Sequence, residues 1–248
     1  MPGVIGIGPG ISIGPGISFG RDVKLPGLVA YYNAGDTASY PGTGTTWYDL
    51  SGYNNHLQMT GTISTFVSAG AASYFNTYAS GPGYFECVNG TGIPVGNSPY
   101  TMAAWVAQLN NGTSGVWNSN GIMSIGNAWG SGDEVNAFRT GSYPFMVNYW
   151  WGNDLAVTPS NAPPLTWMYV VAEFDGTTRS IWVNGVLAGF DTPSGHNVTN
   201  NTVQVGLTLP SGNEYLNGWI GQAWIYNKAL TSAEIVSIYT STRTTYGV

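Results

Sequence analysis

Twelve carboxylates are spread along the 248 residues, and hydrolytic chemistry would need two of them on one substrate. Splitting a glycosidic bond takes a pair of carboxyl groups about 5–9.5 Å apart. On a strand that means alternate positions, and only Glu173 and Asp175 alternate on a predicted strand, at the mouth of a hairpin. A Ser-His-Asp relay could be drawn from Asp49, Ser51 and His56, but the three share one loop with no strand-turn-helix elbow around Ser51. His56 and His196 lie far apart beside a single cysteine, Cys87, which is no zinc pattern. These residue types predict a protein that is not an enzyme. The remaining ligand signal is aromatic. Trp129 sits in Asn127–Glu134 and the pair Trp150-Trp151 in Tyr149–Asp154, two Gly-containing loops that also carry Asp133 and Asp154. Such rings stack on sugars while neighbouring carboxylates accept hydroxyl bonds, and the same side chains suit a protein interface. Trp105, Trp167, Trp182, Trp219 and Trp224 fall in or beside predicted strands and read as core.

The elements that must hold these loops follow from composition. Only 7% of residues are charged, 43% are hydrophobic and 14% aromatic, with 36 Gly and 14 Pro; helix formers are scarce and turn formers abundant. Six Lys+Arg against twelve Asp+Glu give a net charge of −6. That leaves no basic footprint for nucleic acid or an anionic membrane surface, and both are excluded as partners. One cysteine cannot close an internal disulfide, so Cys87 reads as a packing residue. The N-terminal residues lack a basic region and are broken by Gly and Pro, which predicts neither a signal peptide nor a membrane-inserting helix, and folding in the cytoplasm.

Two domains are expected, an extended arm over residues 1–25 and a β domain over 26–248. In the arm, Gly8-Pro-Gly-Ile-Ser-Ile13 is followed at once by Gly14-Pro-Gly-Ile-Ser-Phe19. Ile5, Ile7, Ile11, Ile13, Ile17 and Phe19 are all odd-numbered, and the residues between them at even positions are Gly or Ser. An extended chain of this kind carries one apolar edge. It reads as an attachment or oligomerisation arm with a reach of roughly 60–70 Å; the alternative is a low-complexity leader.

Strands are predicted at 28–33, 84–88, 101–108, 122–126, 144–149, 167–174, 179–183, 186–190, 203–207 and 219–226, separated by Gly-, Asn- and Ser-rich loops. Asp175-Gly176 and Asn184-Gly185 bound the run 179–183 and predict consecutive hairpins with positive-φ turn residues. Thr231-Ser-Ala-Glu234 is a capping box, with Leu230 and Ile235 at the staple positions. It opens one short helix whose Ile235, Ile238 and Tyr239 stripe packs on the sandwich.

Two blocks carry a resemblance. Gly27-Leu-Val-Ala-Tyr-Tyr-Asn-Ala-Gly35 precedes Trp47-Tyr-Asp-Leu-Ser-Gly52, and Phe174-Asp-Gly-Thr-Thr-Arg-Ser-Ile-Trp-Val-Asn-Gly185 precedes Leu216-Asn-Gly-Trp-Ile-Gly-Gln-Ala-Trp-Ile-Tyr226. Over about residues 26–248 the chain resembles the concanavalin A-like lectin/glucanase superfamily, specifically the laminin-G-like domains of bacteriophage virion proteins. The resemblance implies an all-β jelly-roll sandwich of two antiparallel sheets, one concave and one convex, with Trp47–Gly52 as a structural corner. It also implies a non-enzymatic virion component, assembled in the host cytoplasm: a capsid-decoration, head-fibre or tail-associated subunit. The arm would bind other virion proteins and the subunit would be a homo-oligomer, a trimer being one arrangement that suits capsid or fibre positions. The alternative is an adhesion module recognising cell-surface glycans through Trp129, Trp150, Trp151, Asp133 and Asp154. The Glu-x-Asp-x-Glu strand of the family's glucanases is absent, which leaves glycoside hydrolysis remote. Calcium, held by many laminin-G-like domains at one rim, would fall to Asp133, Glu134 and Asp154, although Gln222 stands where related chains often carry an acid.

Overall fold

The computed structural model describes residues 24–62, 65–77, 83–108, 120–126, 134–140, 145–159, 165–208 and 214–248. The arm residues Ile5, Ile7, Ile11, Ile13, Ile17 and Phe19 lie outside these. Sixteen strands are described in chain order: β1 (Leu28–Asn33), β2 (Thr46–Trp47), β3 (Leu57–Gly61), β4 (Thr65–Val67), β5 (Tyr74–Asn76), β6 (Gly83–Cys87), β7 (Tyr100–Gln108), β8 (Asn120–Gly126), β9 (Val135–Thr140), β10 (Met146–Tyr149), β11 (Leu155–Val157), β12 (Met168–Phe174), β13 (Arg179–Val183), β14 (Val186–Asp191), β15 (Val203–Val205) and β16 (Gly218–Tyr226). A helix, α1 (Ser232–Thr242), and a 3-10 turn over Arg243–Tyr246 follow.

The strands form two eight-stranded antiparallel sheets stacked as a jelly-roll sandwich. One runs β14-β13-β12-β7-β16-β5-β4, with β1 pairing the far half of β16; the other runs β11-β10-β9-β8-β15-β6-β3-β2. Between them Trp47, Phe75, Phe85, Val106, Phe138, Val170 and Ile220 are part of one continuous apolar core. Phe75 packs edge-on against Trp47 and Phe85, which are tilted to each other, with ring centroids 4.7–5.1 Å apart, an arrangement that adds to their area burial.

The predicted hairpins are present. β12–β13 and β13–β14 pair antiparallel, and Asn184 and Gly185 both adopt positive φ, 52° and 77°, as the two-residue turn requires. Of the first dipeptide only Gly176 is positive, at 102°; Asp175 Oδ1 instead accepts the amides of Thr177 and Thr178. A bulge at Ile181/Trp182 breaks the β13–β14 register. Residues 167–174 form a strand from Met168, and 144–149 from Met146. β2, β3, β4, β5, β9 and β11 were not legible as strands in the sequence.

The corner at 47–52 is a hub for backbone donors. Asp49 Oδ1 accepts the amides of Tyr31 (2.9 Å) and Ser51 (2.8 Å), and Oδ2 accepts the Ser51 hydroxyl and the Asn55 amide. His56 Nδ1 accepts the Asp49 amide. The Ser51 hydroxyl thus meets the Asp49 carboxylate directly, and the His56 ring binds the Asp49 backbone instead of standing between them.

The capping box of α1 is formed on both sides: the Glu234 amide donates to Thr231 Oγ1 (3.3 Å) and the Thr231 amide to Glu234 Oε2 (2.8 Å). Ile235 and Ile238 bury against Tyr31, Trp105, Tyr169 and Trp224, so α1 covers a second core on the outer face of its sheet. Leu25 packs on this cluster and Lys24 Nζ donates to the Leu50 carbonyl, so the packing reaches back to the first described residues.

Candidate functional site

The turn joining β10 to β11 places its two tryptophans on opposite sides. The Trp150 amide donates to Asp154 Oδ1 (2.9 Å), and Trp151 and Gly152 both take positive φ, 50° and 89°. Positive φ is uncommon for a bulky residue, and here it sends Trp150 inward and Trp151 out.

Trp150 is fully buried. One face stacks on His196, with centroids 3.8 Å apart and planes 8° apart, and the Arg179 guanidinium lies 4.3 Å from the ring. Its indole N–H donates to the Tyr100 hydroxyl, which donates in turn to Asn148 Oδ1. Arg179, also fully buried, binds Asp191 through Nε (3.1 Å) and Nη2 (2.6 Å) and reaches the Asn153 carbonyl with Nη1. His196 Nε2 donates to Asn136 Oδ1 at 2.6 Å. Burial, reinforced by the Arg179 charge, lowers the imidazole to about 4, so it stays neutral. The expectation that Trp150 stacks on a glycan is corrected by these contacts: its ring has no face left for a ligand, and it ties the turn to the core.

Trp151 is 37% exposed and meets the Tyr149 ring edge-on at 6.0 Å. Beneath, the Arg139 guanidinium lies 3.6 Å from the Tyr149 centroid and forms a buried ion pair with Glu214. Glu214 Oε2 also accepts the Thr208 hydroxyl at 2.8 Å. Burial pushes the Tyr149 hydroxyl up to about 12, against the opposing pull of Arg139. The indole thus rests on a fixed stack of ring, guanidinium and carboxylate, a support anchored in β9, β10 and the residues before β16. Pre-positioning of this kind lowers the ordering cost of binding. Beside it Asp154 is exposed with Oδ1 committed to the turn, and Asn153 Nδ2 donates to Ser194 Oγ at 3.4 Å. Phe145, just before β10, is exposed as well. Arg139, Tyr149, Glu214 and Phe145 escaped the sequence reading as site residues, although Arg139 is one of only six cations.

Trp129 and Asp133 lie outside the described residues. Glu134 is half-buried just before β9, and Asp154 already serves the Trp150 amide. Among the described residues no group of three His, Cys, Asp or Glu side chains could hold a metal ion; the expected calcium set has one member, Asp133, outside them.

The alternating pair on β12 has structural work. Glu173 Oε1 accepts Ser180 Oγ (2.7 Å) and Trp182 Nε1 (3.0 Å), and burial raises its carboxyl despite these bonds. Asp175 caps its turn. The arrangement therefore presents one exposed indole with polar neighbours. No helix among the described residues is long and apolar enough to cross a membrane.

A family model described as the concanavalin A-like lectin/glucanases superfamily, in its laminin-G form, matches residues 83–236, more than half of the chain. None of the curated proteins matches it. Among solved structures, the binding domain of botulinum neurotoxin DC in complex with SialylT superposes with a TM-score of 0.63 at 15% identity, covering 87% of this chain and 52% of that one. The same binding domain with rat synaptotagmin II gives 0.63 at 18% identity over 87% and 52%, and the serotype G binding domain 0.63 at 14% over 86% and 50%. The chain spans about half the length of these structures, and at such identities the likeness is one of fold. By its family match and its two-sheet architecture, the chain belongs to the concanavalin A-like lectin/glucanase superfamily.

Proposed function

We propose that the chain is a non-enzymatic recognition module that binds cell-surface glycan at the rim carrying Trp151. The carrying observation is the exposed indole locked at positive φ on the Tyr149–Arg139–Glu214 stack. Sugar rings present an apolar C–H face to such a surface, and Asp154 and Asn153 supply polar edges for hydroxyls. The similar structures named above are binding domains, and one related type C toxin depends for cell entry on interaction with two ganglioside molecules, which supports a glycan as the ligand class. A glycan array including gangliosides and neutral oligosaccharides tests this. The wild-type chain should bind at least one glycan saturably, and Trp151→Ala should weaken it by about tenfold, the scale of one aromatic stacking contact. Equal binding by Trp151→Ala, or no binding at all, would overturn the reading.

A second reading, that the chain is a structural subunit of a bacteriophage virion and associates with copies of itself or other virion proteins, is favoured by the edge strand β14. Val186, Leu187 and Phe190 are exposed there, Val186 by 68% and Phe190 by 64%, and no strand pairs the outer side of β14 among the described residues. Exposed apolar edges invite pairing with another chain, and the one-edged pattern of residues 5–19 is of matching character. The two readings are compatible in one adhesive particle component.

A further inference from the structure

The sheet that carries α1 ends on β14, and of the strands that end the two sheets it is the longest: six residues, against three in β4 and β11 and two in β2. β1, which stands off that path, already commits its outer side to the corner, where the Tyr31 amide binds Asp49 and the Tyr31 carbonyl accepts the Leu50 amide. On β14 every second residue turns its amide and carbonyl away from β13, and no strand takes them up among the described residues. Edges are ordinarily defended by Lys or Pro. Val186–Asp191 has neither, and the carboxylate of its one charged residue is held by Arg179.

The larger exposed side chains share a face. Leu187 stands opposite Trp182 and Phe190 opposite Ser180, alternate positions of β13 that point the same way; the bulge brings two residues three apart to one side. Trp182 packs on the aromatic cluster under α1, so Leu187 and Phe190 continue that apolar surface to the open edge, exposed by 42% and 64%. Such an edge is matched by a strand with an apolar face and a complete row of donors and acceptors along one side.

Residues 5–19 have that form. Their two prolines, Pro9 and Pro15, are both odd-numbered. In an extended chain the odd residues turn their amides to one side and the even residues to the other, so both missing donors fall on the same side. The even residues from Gly6 to Ser18 are Gly or Ser and keep every amide. The segment can therefore pair through its even residues and leave its odd ones as the new edge, the placing that proline tolerates. Ile17 and Phe19, on its apolar side, would then lie beside Leu187 and Phe190. The repeats 8–13 and 14–19 are each as long as β14, and no charged residue falls within 1–20.

Reach favours a second copy. Leu28, Tyr226, Thr101, Glu173, Ser180 and Phe190 form one row across the sheet, about 24 Å from end to end at the usual strand spacing. Leu25 is fixed at the near end, its carbonyl on the Leu28 amide. Residues 20–25 extend to about 20–22 Å at most, and α1 covers the face they would cross.

We propose that residues 14–19 of one chain add as a further strand to the β14 edge of a second copy, through the amides and carbonyls of Gly14, Gly16 and Ser18. The proposal rests on the second reading above only in taking the chain to associate with itself. Light scattering and hydrogen exchange of the full chain test it together. The wild type should exceed the mass of one chain, with slow exchange over 186–191. Ser12→Pro/Ser18→Pro removes an even-side donor from each repeat, so neither can replace the other. It should give the mass of one chain and speed exchange at 186–191 by about tenfold or more, whereas Ser12→Ala/Ser18→Ala keeps the wild-type behaviour. Leu187→Lys, a change on an exposed side chain, should reproduce the loss of mass. An oligomer that survives the proline variant, or that leaves 186–191 in fast exchange, would overturn the proposal and move self-association to another surface. A single-chain mass with 186–191 slowed by the unsubstituted arm would seat the strand on its own edge and overturn the second copy. A single-chain mass with fast exchange at 186–191 would overturn both the pairing and the self-association it rests on, leaving attachment to other proteins.

Discussion

His196 shows how one residue's protonation is coupled to the site. It lies flat on Trp150, donates from Nε2 to Asn136 and faces the Arg179 charge, while its Nδ1 has no partner among the described residues. With the folded imidazole near 4 and the ordinary value at 6.5, the unfolded chain takes up a proton between those limits that the fold refuses. Stability should therefore fall as pH drops from about 6.5 to about 4 and change little from this source below that, by up to about 3 kcal/mol. Glu173 acts in the opposite direction, because its raised carboxyl gains a proton on folding as pH falls. A comparison with His196→Gln, which keeps an N–H for Asn136 but does not titrate, isolates the imidazole. Urea midpoints measured at pH 7 and pH 5 should converge for the variant and separate for the wild type; equal separation would show that His196 is not the acid-sensitive group.

Helix α1 is the element whose sequence signal and structural role agree most directly. Burial alone would raise the Glu234 carboxyl, but the Lys228 ammonium and the Thr231 bonds outweigh it and hold the group low. Thr231→Ala removes the cap from a helix that shields Trp105, Tyr169 and Trp224. The expected loss is about 1 kcal/mol in chemical denaturation followed by tryptophan fluorescence; no change would mean that packing alone sets the start of the helix. The hairpins β12–β13–β14 were equally legible because their turns need specific residues. β9 was not. Its residues Val-Asn-Ala-Phe-Arg-Thr are all buried, and Arg139 is tolerable there only because Glu214, 75 positions away, neutralises it. The two- and three-residue strands β2, β4, β5 and β11 carry too few positions to show a period and exist through their partners.

For the whole molecule the question is association. A chain with 7% charged residues has few charges to keep copies apart, and β14 adds an apolar edge. If the first 23 residues anchor the chain to copies of itself, light scattering should give an oligomer for the full-length protein and a smaller mass for residues 24–248, with unchanged circular dichroism. Phe190→Lys should reduce association where β14 is the contact. A monomer in all three cases would remove self-association from the second reading and leave attachment to other proteins.

Local chemistry was enough to specify the all-β class, the hairpin turns, the helix cap, the Asp49 corner and the family. Each depends on residues near one another in the chain, where turn and capping preferences operate directly. The site was another matter. Trp150 and Trp151 are neighbours in one loop and identical in type, yet one is core and the other surface. That choice was made by His196, Arg179 and Tyr100, residues distant in sequence that enclose the first ring, and by a positive φ that turns the second outward. Likewise Gln222 looks in sequence like a missing acidic ligand, and only the assembled sheet buries its side chain to 3% exposure. Burial and satisfaction of polar atoms are properties of the assembled sandwich, and no single segment of the chain contains them.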